Sequence, residues 1–351
     1  MSNERQTNVL IVGGGPVGIE LAVALQQAGV DYVHLEAQQV GHTMTWWAPG
    51  TRWFSSNERI SLAGVPLVTP DQTKATREQY LAYLRQLVMQ FDLKINAFEP
   101  VTDIARRDDG FVVTSTRATY SAKHVVLAVG GTDHPRALGV EGEDLDHVDG
   151  YFREPHVYFG RRVLVIGGKN SAVEAALRAH HAGAQVAFSY RRAKLREESI
   201  KYWLLPEFNG LCKAERIEAF FDTIPVAITP EHVTLERRIA GQAPERFDIA
   251  AEAVLKLIGY EQDKTLFHRA GVELTGEEQK PIYDEETMQT NVPGLYVAGT
   301  AVGGTQHKFS VFLENCHVHV DRIVGSVTGR GPVIPKMQRI TPEMINLQPE
   351  S

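Results

Sequence analysis

The 351 residues are 43% apolar and 23% charged, a soluble globular balance in a chain long enough for two domains, each with its own core. The net charge of −7 excludes a general polyanion binder, because phosphate affinity comes mostly from clustered Lys and Arg, so no nucleic-acid partner is expected. No apolar run reaches membrane-spanning length, and the polar segment Met1–Thr7 leads into a strand and not a secretory leader, so the expected location is cytoplasmic with no membrane partner. Cys212 and Cys316 are the only cysteines, far apart and outside any CxxC, which leaves no disulfide framework and no metal site.

The first element is a β-rich run, Val9-Leu10-Ile11-Val12, that enters Gly13-Gly14-Gly15-Pro16-Val17-Gly18. Gly13, Gly15 and Gly18 fit GxGxxG: a tight turn, close backbone approach to a diphosphate, and close packing of helix on strand. Apolar residues at Val17, Leu21, Ala24, Leu25 and Ala28 make one helical face, with Gly29 suited to its C-terminal end. The start of that helix, including Pro16 and Val17, would offer free N–H groups to phosphate. The next strand, Tyr32-Val33-His34-Leu35, ends at Glu36, where an acid accepts hydrogen bonds from ribose hydroxyls and disfavours a 2′-phosphate. This site suits FAD or NAD.

Further along, Val125–Val129 is an apolar strand ending at Gly130-Gly131. A second strand–turn–helix begins at residues 162–166 with Gly167-Gly168-Lys169-Asn170-Ser171-Ala172, Lys169 taking the usual middle-glycine position. The strand after its helix, residues 185–190, ends in Arg191-Arg192 with Lys194 and Arg196 beyond. Planar guanidinium groups suit bidentate contact with phosphate, so this site is expected to hold NADPH, with Arg191 and Arg192 on its 2′-phosphate. Residues 253–259 form another apolar strand ending in glycine, and 290–300 a turn, a strand and Gly299-Thr300; 100–120 and 229–249 read as antiparallel hairpins. The expected fold is α/β: two Rossmann-like three-layer dinucleotide-binding domains, one inserted in the other, with small antiparallel β hairpins. Residues 1–153 and 286–328 would form the domain that takes FAD or NAD, 154–285 the NADPH-binding domain, and 329–351 a C-terminal tail.

Phe309, Phe312, Leu313, Cys316, Val320, Ile323, Val324 and Val327 recur at helical spacing, which places Cys316 on an apolar stripe as a core residue with a raised thiol pKa. Cys212 reads as inert.

Trp53-Phe54-Ser55-Ser56 followed by Arg59-Ile60-Ser61-Leu62, then residues 93–99, Tyr151-Phe152-Arg153-Glu154, the GGKNSA string at 167–172 and Glu314-Asn315 together resemble the YpdA-type bacillithiol disulfide reductases, within the thioredoxin reductase-like pyridine nucleotide–disulfide oxidoreductase superfamily. The resemblance runs to about Gly329. It implies FAD at the first site, NADPH at the second, a homodimer, and reduction of a small-molecule disulfide such as bacillithiol disulfide. It also implies cofactor contacts from Ser55 and Ser56, with Gly130, Gly299 and Thr300 taken as cofactor-binding although Gly299-Thr300 departs from the Gly-Asp usual at the flavin, and a flavin near Trp46, Trp47, Trp53, Phe54 and the helix carrying His317 and His319, with His307 also nearby.

Two departures stand out. No CxxC like that of thioredoxin reductases is present, and Val17 replaces the cysteine that the YpdA-type turn carries in GGGPCG. No catalytic residue is therefore assigned, and a quinone, a ferredoxin-type acceptor or a redox sensor without turnover remain open beside the disulfide.

Overall fold

The structure, a computed structural model, describes residues 4–307 and 310–330. Among the described residues it divides into two compact units: one built from residues 4–45, 50–134, 261–307 and 310–330, the other from Trp46–Pro49 and Pro135–Tyr260. The first stretch holds β1 (Arg5–Val12), α1 (Pro16–Gln27), β2 (Tyr32–Leu35), α2 (Arg77–Gln90), β3 (Ile95–Asn96), β4 (Val101–Arg107), β5 (Gly110–Ser115), β6 (Thr119–Leu127) and the short β7 (His134–Pro135). There follow β8 (Val148–Asp149), β9 (Arg162–Ile166), α3 (Asn170–His181), β10 (Gln185–Tyr190), α4 (Leu205–Lys213), β11 (Ile217–Phe221), β12 (Thr223–Ile228), β13 (His232–Arg237), β14 (Glu245–Ala250) and β15 (Ala253–Lys256). After β16 (Tyr260–Glu261) come α5 (Thr265–Arg269), β17 (Leu274–Thr275), β18 (Lys280–Pro281), β19 (Leu295–Val297) and α6 (His317–Thr328).

The first unit's main sheet runs β3-β2-β1-β6-β5-β4, and β19 also pairs with β6. Strands β3, β2, β1 and β6 are parallel neighbours, as βαβ crossovers require. On the edge away from β1, the long β6 serves two further partners: Thr119–Ala122 is antiparallel to β5, and Val125–Leu127 is parallel to β19. Val9, Leu10 and Ile11 of β1 are fully buried, as are Ile19, Leu21 and Leu25 of α1, each worth about 1.5–3 kcal/mol of hydrophobic stabilisation.

The second unit's sheet, ordered β11-β10-β9-β15-β8, is parallel throughout. Alternation along β9 explains its two covered faces. Val163 and Val165 point into a core shared with α3 and α4, while Leu164 and Ile166 meet Ile228, Val233 and Leu235 of the antiparallel β12-β13-β14 sheet.

Between the two units the chain crosses at 134/135 and again at 260/261. Val148 and Asp149 pair with β15, and Leu138, Val140 and Leu145 pack on the second unit's core, so the stretch before Arg153 belongs there. On the return, Gln262 donates from Nε2 to the carbonyls of Gly130 and Ala301, which ties the chain back into the first unit well before residue 285. The apolar stripe expected on one helix is also interrupted. Leu313–Asn315 forms a 3-10 turn, with Asn315 Oδ1 accepting from Phe312 N at 2.9 Å, and α6 starts only at His317. Phe309 and tail residues 331–351 lie outside the described residues; Gly329, at φ +62°, closes α6.

A capping box starts α2: Thr76 Oγ1 accepts from Gln79 N, and Gln79 Oε1 accepts from Thr76 N. Thr76→Ala should cost about 1 kcal/mol, read as a lower midpoint in urea denaturation.

Candidate functional site

The first glycine turn is set by steric room. At Gly13, φ is +114°, and a Cβ there would lie 2.4 Å from the Ala128 carbonyl oxygen. At Gly18 a Cβ would lie 2.0 Å from the Gly13 oxygen, whereas at Gly15 it would meet nothing within 4 Å. The α1 N-terminus, with Pro16 in its first turn, has no side-chain cap, in contrast to α2. Its first N–H groups and the open side of Gly15 are the kind of feature that could hold a diphosphate. Glu36 is held beside it, its Oε2 accepting from Gly14 N and its Oε1 from Gln38 N at 2.7 Å. A carboxylate so placed can accept from the hydroxyls of a ribose bound at the turn.

His34 was not singled out from the sequence, where a lone histidine in a short strand has no distinguishing pattern. It is fully buried, and its Nε2–H donates to the Gly13 carbonyl at 2.9 Å. Burial pushes its pKa down to about 4, only partly opposed by the Gly13 bond, so the ring is neutral.

Three other predicted positions converge in the same unit. Gly131 N donates to Thr300 Oγ1 at 3.0 Å, and Gly130 lies next in the chain at φ +81°. Gly299 sits against Val17: a Cβ on Gly299 would lie 3.2 Å from that of Val17. Gly299 N donates to His319 Nδ1 at 3.1 Å, so His319 carries its proton on Nε2. Its pKa is also held down to about 4, by burial first and then by Arg322 and His317. Ser55 is buried, and Ser56 stands at the start of a 3-10 turn, Asn57–Ile60. The aromatic residues divide between the units: Trp53 packs on Tyr80 of α2 at 4.4 Å, whereas Trp46 packs on Tyr151 and Tyr260 of the second unit at 5.4 and 6.3 Å. His307 is exposed.

Neither cysteine offers a thiolate. Cys316 is fully buried, donates to the Phe312 carbonyl, and has its pKa pushed far up by burial and then by Glu20. Cys212 is partly buried, which raises its pKa too.

In the second unit Gly167 has φ +150°, and a Cβ there would lie 2.4 Å from the Leu257 oxygen; one on Gly168 would enter the Tyr190 ring at 2.1 Å. The α3 N-terminus again lacks a side-chain cap, with Lys169 in the capping position. The Lys169 ammonium has its pKa lowered by desolvation first, then by Arg136, Arg196 and Arg191. These cations share one neighbourhood suited to phosphate. Arg136, whose Nε donates to the Tyr260 carbonyl at 3.2 Å, joins it from a loop that sequence spacing could not connect to the turn. Asn170 is engaged locally, Oδ1 accepting from Lys201 N at 2.6 Å, and Ser171 is exposed. Arg191 and Arg192 are both exposed, and the Arg192 carbonyl accepts from Asp222 N at 3.1 Å. Among the described residues, no group of three or more His, Cys, Asp or Glu side chains could hold a metal ion, and no helix is long and apolar enough to cross a membrane.

A family model described as pyridine nucleotide-disulphide oxidoreductase matches residues 10–299. The chain is 35% identical over 326 residues to the bacilliredoxin reductase Bdr of Bacillus subtilis, covering 93% of this chain and 98% of that one. It superposes on the bacillithiol disulfide reductase Bdr (YpdA) from Staphylococcus aureus with a TM-score of 0.86 at 34% identity, covering 93% and 99% of the two chains. A ferredoxin–NADP reductase of Ignicoccus hospitalis is 25% identical over 304 residues, covering 83% and 89%.

The two buried neutral histidines make stability depend on pH. Their folded pKa values lie below the ordinary ~6.5, so between that value and about 4 the unfolded chain binds more protons. Stability is full above ~6.5 and falls as the pH drops toward 4, by up to about 3 kcal/mol per histidine. Urea midpoints measured at pH 7.5 and 4.5 should show this loss, and it should shrink in a His34→Gln, His319→Gln double variant.

Proposed function

The chain belongs to the pyridine nucleotide-disulphide oxidoreductase family, and from that premise we propose that it oxidises NADPH and reduces a low-molecular-weight disulfide such as bacillithiol disulfide. It is a flavoprotein oxidoreductase, with FAD and NADPH as the family's cofactors. The observation that carries the reading is the pair of uncapped helix starts, one beside an acid and one beside clustered cations. Both fit their cofactors: Gly15 faces open space beside Glu36, and Lys169 gathers positive charge that a phosphate would neutralise.

In this assignment Gly13, Gly15, Pro16, Val17 and Gly18 hold the FAD diphosphate, and Glu36 binds its adenosine ribose. Gly130, Gly299 and Thr300 hold the flavin side, with Ser55 and Ser56 assigned to it by resemblance. Gly167, Gly168, Lys169, Asn170 and Ser171 hold the NADPH diphosphate, and Arg191 and Arg192 receive the 2′-phosphate. The cofactors supply hydride transfer, with the balance RSSR + NADPH + H⁺ → 2 RSH + NADP⁺. The chain's own part is to bind, orient and exclude water. Val17 is almost fully buried and has no thiol, and Cys316 and Cys212 are not activated, so the reading requires no mixed disulfide with this chain. The same absence favours a second reading, electron transfer to a ferredoxin-type acceptor or a quinone. The two free cysteines suit a reducing cytoplasm, and the homodimer follows from the resemblance alone.

Anaerobic mixing with NADPH should bleach the flavin absorbance rapidly, and bacillithiol disulfide should restore it. A flavin that NADPH leaves oxidised would sink the proposal; restoration by ferredoxin or quinone alone would select the second reading. Glu36→Ala should purify with little FAD, measured as flavin absorbance per protein. Arg191→Ala with Arg192→Ala should raise KM for NADPH at least tenfold while sparing NADH, since the loss of one charge-assisted phosphate contact is worth about 1.5–3 kcal/mol.

A further inference from the structure

Several elements of the first unit converge on one imidazole at the start of α6. His317 Nδ1 lies 2.8 Å from Glu20 Oε2 on α1, and His317 Nε2 lies 2.9 Å from the Arg59 carbonyl in the 3-10 turn Asn57–Ile60. Glu20 Oε1 accepts from Ala63 N at 3.2 Å. A neutral imidazole owns one N–H and one lone pair. A backbone carbonyl only accepts, which puts a proton on Nε2. A carboxylate already receiving an amide proton acts as acceptor on its other oxygen, which puts a proton on Nδ1 as well. Both ring nitrogens thus face acceptors, the arrangement that suits an imidazolium beside a carboxylate, with side-chain exposures of 25% and 13%.

Several neighbouring polar groups are paired or held neutral. Arg59 pairs with Glu314 at 3.6 Å. His319 is neutral, and Arg322 adds to the force keeping it so. The Cys316 thiol and the Tyr83 hydroxyl, both sensing Glu20, are held neutral mainly by burial. A positive charge at a helix start is opposed by the helix dipole, and Glu20 offsets that cost.

The pair lies near the candidate flavin site. Glu20 follows Val17 by three residues on α1, which makes the two neighbours on the helix surface at about 5–6 Å between Cβ atoms. Val17 abuts Gly299, whose N–H is held by His319, two residues beyond His317.

We propose that Glu20 and His317 form a positioning dyad whose balanced charge sets the reduction potential of the flavin bound at the first glycine turn. Addition of hydride to the flavin (FAD + H⁻ → FADH⁻) adds one negative charge, which an imidazolium close by favours and an uncompensated Glu20 would oppose. This rests on the flavoprotein reading above.

The test combines potentiometric titration of the bound flavin with ¹⁵N-edited spectra of the histidine rings in the same holoprotein. Wild-type His317 should show both ring nitrogens protonated at pH 7. His317→Gln should retain FAD but shift the flavin midpoint potential downward. Glu20→Gln, which preserves an acceptor for Ala63 N, should let His317 titrate near the ordinary ~6.5 and introduce a step in the midpoint's pH dependence there that wild type lacks. A bare ring nitrogen on wild-type His317 at pH 7, or an unmoved potential in His317→Gln with flavin bound, overturns the inference alone. Wild-type protein that binds no flavin overturns the functional reading and this inference with it, and the ring spectra then still report whether the ion pair exists.

Discussion

The carbonyl oxygen of Gly13 is the atom on which the first unit's site converges. Gly18 approaches so closely that a Cβ would sit 2.0 Å away, and His34 donates to the same oxygen at 2.9 Å. The first contact seats α1 directly over the end of β1, and the second joins β2 to the turn between them. Because Glu36 follows His34 by two residues, the bond that holds β2 in place also brings a carboxylate to Gly14 N. Strand, turn, helix and acid are thus positioned by one small steric and polar knot. The helix start is left uncapped because the turn supplies glycines where α2 has Thr76 and Gln79.

The second unit reaches a similar arrangement by other means. Gly168 is required by the Tyr190 ring rather than by a neighbouring carbonyl, and a Cβ on Gly167 would come within 2.8 Å of Ala172 Cβ, so a small residue serves where the first turn has Gly18. This explains how Lys169 is tolerated in the middle position: the close contacts fall on Gly167 and Gly168, leaving position 169 free to carry a long side chain. The repulsion that Arg136, Arg196 and Arg191 exert on Lys169, beyond its desolvation, is one that a bound phosphate would relieve. The two turns therefore differ in charge far more than in backbone design.

Much of this was legible from residue order alone. The strand–glycine–helix runs at Val9–Gln27 and Arg162–His181 are strongly periodic, and both helices and the hairpins β4–β5 and β13–β14 lie where patterning put them. What escaped was set by tertiary contact. Arg136 joins the cationic group only because the fold returns its loop to Gly259. His34 matters through a bond across the turn, and nothing in Tyr32–Leu35 announces it. The crossings at 134/135 and 260/261 involve the two-residue β8 and Gln262, both too local to leave a periodic trace. Spacings of three and four do not separate an α-helix from a 3-10 turn followed by one, which is why the break before His317 was missed.

Cys316 is sealed under Phe312 with its proton held fast, and Val17 offers carbon where the related turn offers sulfur. A catalyst arranged this way has no nucleophile for its own substrate to capture. Electrophiles, arsenicals and peroxide, which silence enzymes by seizing an exposed active-site sulfur, find no such handle at this centre.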